Sequence, residues 1–266
     1  DFSWFWSEDN QHYLDLYKET AEAIKEADPS AKVGGSAINQ WNHQLGGGTA
    51  DLNTELIRYA KQNGVPLDFV SWHFFSIYKN DLDQAVQRYQ TELQGMSTEL
   101  MITEWNNPRD ARNSEYAVIS MAETFSYFYL LDLNKHAFSA FADFGFTSDN
   151  TDYGLIRKDL TIKPVFYVFQ AFDLLTQNSD GVALVIIDDG LRAMVSKKQG
   201  SCFDTVFWNI VSTQKSVPLD VGSPITSLSS FRLKTGPVPL TLSFHESTLD
   251  LVIDPYDVVT SRICVS

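Results

Sequence analysis

The sequence predicts a parallel α/β segment followed by an all-β segment, and two observations carry that prediction. From residue 10 to about residue 175, helical and strand patterns alternate, the order expected of a parallel sheet with crossover helices. After about Asn178 the pattern changes to short alternating runs, separated by Asp189-Gly190, Gly222-Ser223-Pro224 and Gly236-Pro237, which predicts a β-sandwich. The first segment holds four strands, half the number in a (β/α)8 TIM barrel. The expected division is therefore 1–178 for a half-barrel and 179–266 for the sandwich.

Each element has its own signal. Tyr13, Leu16, Tyr17, Thr20, Ala23, Ile24 and Ala27 recur at helical spacing, and Asp28-Pro29 ends that helix. Lys32 to Ala37 reads as a strand opening into a loop, Asn39–Gly48, that carries Trp41 and His43. Asp51 is placed to cap a second helix that Gly64 stops. Asp68 to Ser76 is the second strand, 81–93 the third helix and Leu100 to Thr103 the third strand. A helix over 114–131 and an alternating strand over 137–146 follow. A last helix over 162–175 has Pro164 in its first turn.

Composition limits the partners. Of 266 residues, 44% are hydrophobic and 20% charged, enough for a sizeable core. The net charge of −14 makes nucleic acid or an anionic membrane surface a poor partner, whereas a neutral sugar is compatible. Aromatic residues reach 13%, which suits core filling and stacking on sugar rings alike. No apolar run is long enough to span a bilayer. The opening Asp-Phe-Ser-Trp-Phe-Trp has no basic-then-apolar leader and reads as the middle of a larger protein. Cys202 and Cys264 lack metal spacing and either pair or remain buried thiols. No zinc-type ligand spacing surrounds His43 or His73, and Val33-Gly34-Gly35 lacks the dinucleotide fingerprint, so no cofactor is expected.

The candidate site centres on Leu100-Met-Ile-Thr-Glu-Trp-Asn-Asn107. Its apolar strand delivers Glu104, Trp105 and Asn106 to a C-terminal strand end, where β/α barrels place their active sites. A carboxylate there is costly to desolvate unless it is hydrogen-bonded or functional. Trp72 and His73, at the end of the preceding strand, are expected to face the same mouth. Trp41 and Asp143 complete the set of candidate substrate contacts.

Trp6, Tyr13-Leu-Asp-Leu-Tyr17, Asp28-Pro29 and Lys32-Val-Gly-Gly-Ser-Ala37 resemble glycoside hydrolase family 39, which includes β-xylosidases and α-L-iduronidases. Asp68-Phe-Val-Ser-Trp-His-Phe74, Thr103-Glu-Trp-Asn106 and the link Gly154-Leu-Ile to Lys163-Pro164 continue the resemblance in the same order. It implies that the four strands are barrel strands five to eight and that Glu104 is the nucleophile of a retaining glycosidase. His73 would then hydrogen-bond the sugar or orient a carboxylate, and Asp143 would match an acidic residue of strand eight. The family's acid/base Glu lies in an Asn-Glu-Pro motif, and no Asn-Glu-Pro occurs here. The chain thus resembles the part downstream of that motif, with the acid/base expected before Asp1.

Retaining hydrolysis needs two carboxyl groups about 5–5.5 Å apart. Within the chain Glu8, Asp9 and Asp143 are the alternatives to an upstream residue, with helix capping the plainer role for the first two. The expected substrate is a β-linked oligo- or polysaccharide of xylan or glucan type. The alternative function is a catalytically incomplete, carbohydrate-binding or self-assembling half-barrel. Four parallel strands leave two open edges, so a homodimer or a complementary N-terminal half is expected as partner. The resemblance also favours a secreted, extracellular protein.

Overall fold

The computed structural model describes residues 9–39, 51–76, 79–108, 111–112, 114–143, 153–177, 179–198 and 200–266. They form two compact units, one of 1–106 with 131–139 and one of 107–130 with 140–266. This division follows packing, and it falls at other places than the change of sequence pattern near residue 178.

The first unit is a parallel four-stranded sheet in the order β1-β2-β3-β4. Its strands are β1 (Gly34–Asn39), β2 (Phe69–Phe74), β3 (Glu99–Trp105) and β4 (His136–Phe138). Helices α1 (Asn10–Ala27), α2 (Leu52–Asn63) and α3 (Lys79–Glu92) belong to the same unit. Their limits follow local chemistry. Asp9 caps α1 by accepting from the His12 amide at 2.9 Å. Asp51 caps α2 by accepting from the Thr54 amide at 2.8 Å. Gly64 ends α2 in a left-handed conformation, φ 67°, which glycine adopts without a Cβ clash.

Tight packing brings β1 onto β2. A Cβ on Gly34 would lie 2.1 Å from the Phe69 carbonyl oxygen, so only glycine permits this approach. Asn53 of α2, fully buried, ties the helix to both strands. Its amide nitrogen donates to the Ser71 carbonyl, and its oxygen accepts from the Ser36 amide and hydroxyl, all at 2.9 Å. Such a buried amide is stabilising because its polar atoms find partners.

The second unit holds α4 (Ala117–Leu130), α5 (Pro164–Thr176) and two antiparallel sheets. The larger runs β10-β9-β13-β7-β6-β5 and the smaller β11-β12-β8. These strands are β5 (Ser179–Ile186), β6 (Leu191–Lys198), β7 (Cys202–Asn209), β8 (Lys215–Asp220), β9 (Ile225–Arg232), β10 (Val238–Pro239), β11 (Ser243–His245), β12 (Thr248–Ile253) and β13 (Val258–Val265). Leu191, Ala193, Phe207, Val259 and Ile263 of the larger sheet share a core with Leu249, Leu251 and Ile253 of the smaller.

Strand β7 is buried on both faces, which explains why α4 and α5 group with the β-strands. Trp208 lies 6.1 Å from Phe172 of α5, and Phe172 stacks on Phe125 of α4 at 4.9 Å. The Trp208 indole N–H and Arg192 both donate to the carboxylate of Glu123 on α4. Cys202 and Cys264 stand opposite each other on β7 and β13 and form a disulfide, so neither cysteine is a free thiol.

Candidate active site

Glu104 owes its position to an irregularity in β3. Paired residues on adjacent strands share a face, and successive residues alternate between faces. Trp72 pairs with Ile102, but His73 pairs with Glu104, so Thr103 is an inserted residue. In a regular ladder His73 would meet Thr103, and Glu104 would stand beside Phe74, whose side chain is buried. The bulge instead turns the Glu104 carboxylate onto the His73 side, a re-aiming that bulges perform near active sites. Strand β1 inserts Ala37, φ 59°, at the same level, between partners Ser36–Ser71 and Ile38–Trp72. Both neighbours of β2 are therefore irregular where the parallel strands end.

Glu104 Oε2 lies 3.6 Å from His73 Nδ1, with side-chain exposures of 45% and 17%. That distance is too long for a direct hydrogen bond. Burial pushes the His73 imidazole below its ordinary pKa of 6.5, while the Glu104 charge pulls in the opposite direction. Near neutral pH the ring is thus mostly uncharged. A neutral imidazole at that position forms no salt bridge with the Glu104 carboxylate.

The residues after Glu104 serve as its support. Trp105 is fully buried, with its ring 5.8 Å from His136 and 5.0 Å from Phe138, both edge-to-face. Its indole N–H donates to His136 Nδ1 at 3.2 Å. Burial pushes His136 down to about 4, so it stays neutral and can accept that bond. The Asn106 amide N–H bonds the Phe74 carbonyl at 3.2 Å, and its side chain donates to the Ser139 carbonyl.

Several expected contacts are placed differently. Trp72 is fully buried and packs edge-on against Tyr89 of α3 at 5.2 Å, so its ring faces the helices and offers no surface to a sugar. Trp105 and Asn106 are likewise turned inward, at 0% and 4% exposure, and hold the strand end. Asp143 belongs to the second unit, where its 5% exposed side chain pairs with Lys163 at 2.8 Å. Asp143 also accepts from the Gly154 amide at 2.7 Å. In that arrangement its carboxylate is buried and ion-paired, the structural contact that was the alternative to a sugar contact. Trp41 lies outside the described residues, as do His43 and Glu8. His136 was not indicated by the sequence: its only signal is its place at the start of a short strand.

Among the described residues no group of three or more His, Cys, Asp or Glu could hold a metal ion. What the Glu104 site presents is a half-exposed carboxylate beside a largely neutral imidazole.

Comparison with known proteins bears on that chemistry. The family model described as "Glycosyl hydrolases family 39" matches residues 1–216. A β-xylosidase of Geobacillus stearothermophilus is 28% identical over 243 residues, covering 78% of this chain and 44% of the relative. A β-xylosidase of Caldicellulosiruptor saccharolyticus is 27% identical over 198 residues, covering 64% of this chain and 38% of the relative. The chain thus spans less than half the length of these curated relatives. Among solved structures, a family 39 β-xylosidase from Caulobacter crescentus aligns with a TM-score of 0.67 at 19% identity. That alignment covers 96% of this chain and 62% of the other, and it shows a shared fold. With the family model covering most of its length, the chain belongs to glycosyl hydrolases family 39.

Proposed function

We propose that this chain is the nucleophile-bearing part of a retaining glycoside hydrolase acting on β-linked saccharides of xylan or glucan type. The single observation that carries this reading is the bulge that places a half-exposed Glu104 beside His73 at the end of a parallel strand. Family membership supports it, and so do the names of the β-xylosidase relatives. In this reading β1 to β4 are strands five to eight of a barrel, residues 1–178 are its C-terminal half and 179–266 an accessory sandwich.

Glu104 attacks the anomeric carbon, and the aglycone leaves with a proton from a second carboxyl about 5–5.5 Å away. Water then releases the sugar, with that second group acting as base. The Asn-Glu-Pro motif that would supply it is absent from the sequence, so the reading assigns the acid/base to a segment preceding Asp1.

A second reading has support of its own. Among the described residues the parallel sheet ends at β1 and β4, and such edges are normally paired or covered. A half-barrel that pairs with a second copy, or with an N-terminal half, would satisfy them while remaining incomplete as a catalyst. Secretion is proposed on the Cys202–Cys264 disulfide, because such bonds persist in oxidising compartments.

The test is turnover of aryl β-xylosides, β-glucosides and β-cellobiosides, whose leaving groups depart with little acid assistance. Glu104→Gln is expected to remove essentially all turnover, at least about 10³-fold on the scale of losing a covalent nucleophile. Azide added to the unaltered chain is expected to raise the rate and yield a β-configured glycosyl azide. Turnover that survives Glu104→Gln would refute the assignment, and a folded protein inactive on every glycoside would favour the second reading.

A further inference from the structure

Tyr116 and Tyr256 meet on the surface of the second unit. Their rings stand 4.5 Å apart at 68°, edge to face. Tyr116 precedes α4 and is 45% exposed, a large aromatic surface to leave in water. Tyr256 lies in the turn between β12 and β13 with φ 52°. A bulky side chain in that left-handed region is a true outlier, and such strain persists only where the surroundings enforce it.

The surroundings do enforce it. Asp257, fully buried, accepts from the Val258 amide at 2.8 Å and the Lys234 amide at 3.1 Å. Arg232 reaches Asp257 at 2.7 Å and Asp254 at 2.8 Å, bracketing the turn. Lys234 Nζ donates to the Pro255 carbonyl at 2.9 Å and lies 3.7 Å from Glu115. A turn braced on both sides of Tyr256, at Asp254, Pro255 and Asp257, holds its ring in a preset position.

Asparagine or glycine would occupy this φ at lower cost, and packing alone would favour them. A rigid pair of amphipathic rings, held ready at the surface, is what a binding surface uses to gain contact area at small entropic cost. We propose that Tyr116 and Tyr256 form an accessory platform for a neutral β-linked polysaccharide, on the unit that does not carry Glu104. The neutral class is favoured over an acidic one by the net charge of −14 and by the nearby Glu115 carboxylate. Lys234 is engaged by Glu115 and Pro255 and is not a spare cation for a uronate. The choice of a β-linked polymer rests on the glycosidase reading above, but the platform does not require turnover.

The test is native electrophoresis through gels containing soluble xylan, mixed-linkage β-glucan or polygalacturonate. The unaltered chain is expected to be retarded by a neutral polymer and not by polygalacturonate. Tyr116→Ala and Tyr256→Gly are each expected to weaken the association constant about tenfold, the loss typical of an anchoring aromatic. Tyr256→Gly should keep or raise the melting temperature, since glycine accepts that backbone conformation, so its loss of retardation would not reflect misfolding. Retardation of both tyrosine variants equal to that of the unaltered chain would overturn the proposal, as would absence of retardation by every neutral polymer. Failure of Glu104→Gln to abolish hydrolysis would count against the nucleophile assignment and leave the platform standing.

Discussion

At the scale of single residues, His73 and His136 are both held neutral by burial, for different ends. A neutral His73 is not itself a cationic partner for Glu104, whereas His136 accepts the indole N–H of Trp105. His136 carries a measurable consequence. Its pKa is about 4 in the fold against 6.5 when free, so between these values the unfolded chain binds a proton that the native state refuses. The stability it contributes is complete above pH 6.5 and is lost as pH falls toward about 4. The loss should be on the order of 1–3 kcal/mol. Urea midpoints measured from pH 7 to pH 4 should therefore fall more for the unaltered chain than for His136→Gln, which keeps an acceptor without titrating. Equal slopes would contradict the assignment. Glu104 was legible in the sequence because an apolar strand delivers a lone carboxylate. The inward turn of Trp72 and Trp105 was not, because strand alternation gives two faces without saying which one the helices cover.

At the scale of elements, caps and stops were the most legible features. Asp51 and Gly64 bound α2, and Pro164 opens α5, because capping chemistry acts within one turn. The end of α5 is a different case. Lys198, from β6, inserts its ammonium among the carbonyls of Leu174, Leu175 and Gln177, satisfying groups that the helix leaves unpaired. A cap supplied by a strand 21 to 24 residues away leaves no local trace in sequence. Lys198→Met should keep the aliphatic packing but leave those carbonyls without their donor, while Asp204 keeps its bidentate pair with Arg262, lowering stability by about 1–3 kcal/mol in chemical denaturation. A change below about 0.5 kcal/mol would show the cap to be dispensable. The bulges at Ala37 and Thr103 were equally hidden, since an inserted residue shows only against the register of its neighbour.

At the scale of the whole molecule, the disulfide closes a loop of 62 residues between β7 and β13. In the chain-entropy treatment a loop of that length stabilises by about 4 kcal/mol, and strain reduces the measured figure toward about 2–4. Cys202→Ala with Cys264→Ala, or reduction of the native bond, should lower the denaturation midpoint accordingly. Thiol titration of the unfolded, unreduced chain should find no free sulfhydryl. Two reactive thiols would remove the support for a secreted protein.

By itself the sequence determined the order of helices and strands, the change to antiparallel β-structure, the family and the carboxylate on which the proposed chemistry turns. Periodicity, capping and turn residues act over a few positions, and family motifs are likewise local. Only the tertiary structure decided that Glu104 stands beside His73 and that Asp143 is spent on Lys163. It also decided that the two cysteines pair and that α4 and α5 group with the antiparallel strands. These outcomes depend on register, burial and ion pairing between segments distant in the chain, which no local pattern encodes.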